Sequence, residues 1–159
     1  MFDVILCQPE IPPNTGNIIR LCANAGARLH LIHPMGFALT EKSCRRAGLD
    51  YHSLTFVREY GDWDEFASHF DLDQIYAITK FAKTGLTEPR YHKGHGFLFG
   101  SETSGLPEHV RKAIAPERHL RIPMVANNRS LNLANAVSIT LYEAWRQCDF
   151  EGAVPYHPE

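Results

Sequence analysis

Phe99-Gly100-Ser101-Glu102-Thr103-Ser104-Gly105-Leu106-Pro107 follows directly on the apolar run Gly96-Phe97-Leu98-Phe99. An apolar run, a small-residue loop with two glycines, and a proline that opens a helical pattern from Pro107 to Ile114 describe a strand, a loop and a helix. In an open α/β sheet, ligands bind in the crevice at the carboxyl ends of the strands, where such loops lie. Glycine lets backbone pass close to a ligand, and Glu102 places a charged group at the mouth of the loop. Alone, this pattern is only moderately specific.

Outward from that loop, apolar runs alternate with helical periodicities along the whole chain. Strands are expected at Phe2–Cys7, Arg28–Ile32, Leu54–Val57, Gln74–Thr79, Gly96–Phe99 and His119–Ile122. Helices are expected at Asn17–Ala25, Glu41–Ala47, Asp62–His69, Glu108–Ile114 and Leu133–Cys148. Alternation of this kind predicts an α/β fold with a mostly parallel sheet and helices on both faces. Pro12-Pro13 reads as an extended approach, Asn14-Thr15-Gly16 as caps of the first helix, and Gly26 as its stop. The last helix carries Leu133, Ala134, Ala136, Val137, Ile139, Leu141, Tyr142, Ala144, Trp145 and Cys148, which leaves little of its circumference polar. Such a helix must be buried on most sides. A homodimer that buries this helix is therefore expected, with Val137 on its apolar face; the alternative is a helix enclosed within one chain.

The 159 residues suit a single domain with a real core, expected to span 1–159 without an added domain. The composition, 44% hydrophobic and 21% charged, is that of an ordinary globular protein, and no apolar run is long enough for a membrane span. The N-terminus reads as a first buried strand and not as a leader. Cys7, Cys22, Cys44 and Cys148 are widely spaced, which fits small core residues in a reducing cytoplasm. The net charge of −2 excludes a strongly basic nucleic-acid binder. A local positive patch for phosphates remains open, since Arg45-Arg46, Lys80, Lys83, Arg90, Lys93, Arg111, Lys112, Arg118 and Arg121 gather in short stretches. His30-x-x-His33 and His92-x-x-His95 have short spacings but no third ligand nearby, so no metal is expected.

Two further segments sharpen the reading. Asn14-x-Gly16-Asn17-x-x-Arg20, the Gly100-to-Pro107 loop, and Ile122-Pro123 with Ser130-x-Asn132-x-x-Asn135-Ala136-Val137 occur in that order. Together they resemble the three motifs of the SPOUT class of S-adenosylmethionine-dependent RNA methyltransferases, over residues 2 to about 150. Ser104 departs from the pattern, standing where a basic residue is common. The resemblance implies a fold with a C-terminal trefoil knot and a homodimer formed through the first and last helices. It also implies transfer of a methyl group to the ribose 2′-OH of the wobble nucleotide, C or modified U at position 34, of leucine tRNAs. Other tRNA or rRNA sites, and a catalytically silent RNA-binding module, are the alternatives.

The same resemblance places donor contacts at Ile78, Gly100, Ile122 and Ser130, with Met124 and Leu131 as apolar wall. Core packing is the competing reading for Ile78, Ile122 and Leu131. Arg20 is the leading catalytic candidate. Arginine stays protonated, so stabilising a developing 2′-alkoxide or clamping the adjacent phosphate suits it better than taking a proton. Its alternative is a salt bridge on a helix surface. Asn14 either caps the first helix or holds the ribose. Glu102 either orients Arg20 or pins loop amides. Asn132 is placed to cap the last helix and tie the loops together. Tyr142 touches the dimer partner, the RNA or the core, and Arg129 contacts RNA or is a solvated loop charge.

Overall fold

The computed structural model describes residues 1–39, 54, 56–127 and 130–154. The expected helix Glu41–Ala47, Cys44, the pair Arg45-Arg46 and the candidate Arg129 lie outside the described residues.

Seven strands form one sheet: β1 (Asp3–Cys7), β2 (Arg28–Ile32), β3 (Val57–Tyr60), β4 (Ile75–Ile78), β5 (Thr84–Gly85), β6 (Gly96–Phe99) and β7 (His119–Arg121). Their order is β3-β2-β1-β6-β4-β7-β5, and every pairing is parallel. Strands covered on both faces need apolar residues at every position, and β1 and β6 are buried throughout. Side chains alternate between faces. Val4, Leu6, Leu29, Leu31, Phe97 and Phe99 therefore point into one core with α1 (Pro12–Ala25) and α4 (Leu133–Gln147). Ile5, Cys7, Ile32, Ile75, Ala77 and Leu98 point into a second core with α2 (Trp63–Ser68) and α3 (Glu108–Ala113). Burial pushes the Cys7 thiol up to about 11 and the Cys22 thiol up to about 12, so both behave as small apolar core residues.

The expected strands at Arg28–Ile32 and Gly96–Phe99 form with those bounds, and β1, β4 and β7 agree to within a residue at either end. Leu54–Val57 is corrected: the strand is Val57–Tyr60, with Arg58 and Glu59 exposed at the sheet edge. A polar edge strand carries no apolar run, so the periodicity slid toward Leu54. The start of the first helix is also corrected. Pro12 and Pro13 occupy its first two positions, where a missing N–H is harmless, so Asn14, Thr15 and Gly16 lie inside the helix and do not cap it. Gly26 stops it in the left-handed conformation, as expected. Val137 is fully buried in its own chain and faces the α1 side of the sheet, so it belongs to no subunit surface.

β7 lies between β4 and β5, two strands that precede it and are joined only by residues 79–83. The last strand thus enters a sheet whose neighbours on both sides are already linked, the placement that a C-terminal knot needs. At the opposite end of the strands sits a buried polar cluster. Asp3 accepts from Arg28 Nε and Nη2, both at 2.7 Å, and from His30 Nε2 at 2.7 Å. A carboxylate only accepts, so Nε2 of His30 carries a proton and Nδ1 meets the Tyr60 hydroxyl at 3.1 Å. Burial favours the neutral acid, but these partners outweigh it and hold the Asp3 carboxyl below its ordinary value.

Candidate active site

The loop after β6 closes on itself. Ser101 and Gly105 exchange backbone hydrogen bonds of 3.2 and 3.0 Å, and the Ser101 and Ser104 hydroxyls meet at 2.7 Å. Gly105 has φ +72°, a conformation that side chains resist. At Gly100 the restriction is steric: a Cβ there would lie 2.0 Å from the Gly105 carbonyl carbon and 2.1 Å from the Leu106 nitrogen. The second motif therefore requires its first glycine so that the loop can fold back over it.

Glu102 points from this loop toward the start of α1. Its carboxylate accepts from the backbone N–H of Glu10 at 2.7 Å, that of Ile11 at 3.1 Å, and Asn14 Nδ2 at 3.2 Å. Thr103 donates its hydroxyl to the Glu10 carboxylate at 2.8–2.9 Å. Asn14 Oδ1 accepts in turn from Asn132 Nδ2 at 2.9 Å. Asn132 Oδ1 then caps α4, accepting from the N–H of Ala134 at 2.9 Å and of Asn135 at 3.3 Å. Of the two readings left open for Glu102, its recorded hydrogen bonds match the pinning of loop amides. For Asn14 the capping reading is excluded, because it lies inside the helix and spans Glu102 and Asn132. The expected capping role of Asn132 is observed.

A cavity of about 810 Å³ opens at the carboxyl ends of β4, β6 and β7, within the range for a cofactor or drug-sized ligand. Asn14, Ile78, Gly100, Glu102, Ile122, Met124, Ser130, Leu131 and Asn132 all line it. Ile78 and Ile122 serve both readings, since they also pack against the α1-side core. Arg20 and Tyr142 do not line it. With the helix beginning at Pro12, Arg20 lies six residues beyond Asn14, about 9 Å further along the axis, on an exposed position. Tyr142 is 44% exposed on α4 and stacks edge-on with Trp145, which excludes the core reading for it.

The cavity wall also contains Thr79 and Phe81, which the sequence reading did not single out, together with Thr103 of the second motif and Lys80, Arg111 and Arg121 of the expected positive patch. Position was the available signal: Thr79 to Phe81 follow β4 directly, at a strand's carboxyl end. Among the described residues no group of three or more metal-ligating side chains forms, and no helix is long and apolar enough to cross a membrane.

A model of the SpoU rRNA Methylase family matches residues 1–142. The chain belongs to this family. A tRNA (cytidine(34)-2′-O)-methyltransferase from Methylovorus glucosotrophus is 50% identical over 97% of this chain and all of its own length. The protein of the same name from Escherichia coli K12 is 49% identical over 97% of this chain and 98% of its own. A solved structure described by the 2-OH methylation of C/U34 on tRNA superposes with a TM-score of 0.86, at 39% identity, over 95% of this chain and 98% of that one. The SpoU methyltransferase AviRb from Streptomyces viridochromogenes, in complex with AdoMet, gives a TM-score of 0.80 at 25% identity over 93% of this chain and 60% of that one.

Proposed function

We propose that this chain transfers a methyl group from S-adenosylmethionine to the ribose 2′-OH of cytidine or modified uridine at position 34 of tRNA, with leucine tRNAs as substrates. The observation that carries this reading is the convergence of all three motif segments on one cavity through Glu102, Asn14 and Asn132. Half of the chain's residues are shared, end to end, with a tRNA (cytidine(34)-2′-O)-methyltransferase, which supports tRNA over other RNA.

The residues present fit the donor. Gly100 lets the loop fold back closely over itself at the cavity wall, and the loop backbone at Gly100, Ile122 and Ser130, which line the cavity, suits the edge of a neutral, flat adenine. Met124 and Leu131 offer apolar wall, as do Ile78 and Ile122. S-adenosylmethionine supplies an activated methyl group on a sulfonium, a chemistry that calls for no metal. Asn14 and Glu102 form the wall between the donor loops and α1. In this reading Glu102 holds the loop at Glu10–Ile11 in place, and Asn14 presents a fixed amide to the acceptor ribose.

Arg20 acts on the acceptor. A guanidinium stabilises a developing 2′-alkoxide or the neighbouring phosphate by charge and paired donors. Arg20 lies outside the wall of its own cavity, which supports action across a subunit seam. The expected homodimer runs through α1 and α4, where Ile139 is 42% exposed and Tyr142 stands beside it on α4. Arg129 remains a proposed RNA contact.

The test is transfer of labelled methyl to unmodified total tRNA, followed by mapping of the alkali-resistant linkage. Label at position 34 of leucine tRNAs is the expected result. Label elsewhere, in another tRNA or in rRNA, refutes the assigned target and keeps the enzyme class. Donor binding without transfer to any RNA sinks the enzymatic reading in favour of an RNA-binding module.

A further inference from the structure

Phe81 is the most exposed aromatic side chain among the described residues, at 69%. It lies in the short link between β4 and β5 and lines the cavity at the same time, so it stands at the cavity mouth. Two cations from different elements border its ring. Lys80 Nζ lies 5.3 Å and the Arg111 guanidinium carbon of α3 5.5 Å from the ring centre. Arg121 lines the cavity beside them. Among the described residues none of these three cations forms an ion pair.

We propose that Phe81, with Lys80 and Arg111, is a stacking platform for a base of the substrate RNA next to the methylated nucleotide. This rests on the functional reading above and adds a recognition surface to it. An exposed ring alone would suit any apolar partner, and exposed cations alone any anion. A flat ring bordered by unpaired cations suits a partner with both a π-face and a phosphate, which is a nucleotide. The acceptor ribose has to reach the same cavity mouth, which selects the substrate strand over an unrelated RNA or an acidic protein.

The test uses the full chain saturated with S-adenosylhomocysteine and a synthetic anticodon stem–loop RNA with cytidine at position 34. Phe81→Ala should weaken RNA binding roughly 5- to 100-fold, the range for loss of one stacked base. Phe81→Trp should restore it, and affinity for S-adenosylhomocysteine should stay within twofold. Lys80→Ala should lower the slope of log affinity against log salt by about one. Unchanged RNA affinity in Phe81→Ala overturns the proposal. So does a parallel loss of S-adenosylhomocysteine affinity, which would make Phe81 part of the donor wall. In a parallel reaction with S-adenosylmethionine in place of S-adenosylhomocysteine, wild-type protein that binds the stem–loop but leaves position 34 unmethylated refutes the functional reading alone, and the Phe81→Ala ratio still decides the platform. Wild-type protein that does not bind the stem–loop overturns both.

Discussion

Asn132 Nδ2 donates to Asn14 Oδ1 over 2.9 Å, joining residues 118 positions apart in sequence. The direction of this bond follows from its neighbours. The Glu102 carboxylate can only accept, so Asn14 must turn its NH2 toward Glu102 and its oxygen toward Asn132. Asn132 must then offer its NH2 and keep its own oxygen for the N-terminus of α4. One carboxylate thereby orients two amides and one helix end, and the three motif segments become a single rigid unit.

Asn132→Ala should cost about 2–3 kcal/mol of stability, the sum of a lost cap and a stranded Asn14 oxygen. Asn132→Ser retains an N-cap but cannot reach Asn14, so it should recover only about 1 kcal/mol of that loss. Urea unfolding of the three proteins measures the split. Full recovery by serine would show that the Asn14 bond contributes nothing.

Gly100→Ala should abolish S-adenosylmethionine binding, because its Cβ would meet the loop's own backbone at 2.0 Å and force the loop out of place. Gly105→Ala has open space and meets only the cost of a positive φ, about 1 kcal/mol, so weaker binding is expected there. Titration calorimetry with the donor, beside circular dichroism, distinguishes the two. Normal donor affinity in Gly100→Ala would remove this loop from the donor site.

Arg20→Ala should abolish methyl transfer with donor affinity within a few fold of wild type. If Arg20 serves the partner subunit's cavity, mixing Arg20→Ala with Gly100→Ala protein should restore activity, since a mixed dimer holds one intact site. Mixed dimers with no activity would place Arg20 in the same subunit as the cavity it serves.

Tyr142→Glu and Ile139→Glu should yield monomers, because both residues are exposed on α4. Val137→Glu should instead unfold the chain, since it buries a charge in the core. Sedimentation analysis of the exposed-site variants decides the interface; dimers that survive both changes would move it elsewhere.

His95 supplies a pH dependence. Burial, then the neighbouring His92 and Arg118 charges, pushes its imidazole down to about 4. Its Nδ1 accepts the His92 backbone N–H at 3.2 Å, which requires that nitrogen to be unprotonated. The folded state thus binds fewer protons than the unfolded state between about pH 6.5 and 4, so stability is full above that window and falls through it. The expected loss is about 3 kcal/mol. His95→Gln should flatten the denaturation midpoint across the same range, and an unchanged pH profile would remove His95 as the cause.

The sequence by itself determined the parallel α/β layering, since continuous apolar runs such as Val4–Leu6 and Phe97–Phe99 have no stable place except between two helical layers. Which segments meet at the cavity was implied only by the resemblance of the three ordered motifs to the SPOUT class, since no local property of those segments brings them together. The register of β3 was not legible, since its edge position leaves Arg58 and Glu59 solvated and the apolar signal broken. The start of α1 was misread because two prolines fit an extended approach as well as a first helical turn. Only the tertiary structure decided what Asn14, Glu102 and Asn132 do, for their roles depend on which acceptor faces which donor across 88 and 118 residues of chain. Phe81 and Arg111 were likewise invisible as a pair, because a ring and a cation thirty positions apart acquire meaning only when two elements bring them within 5.5 Å.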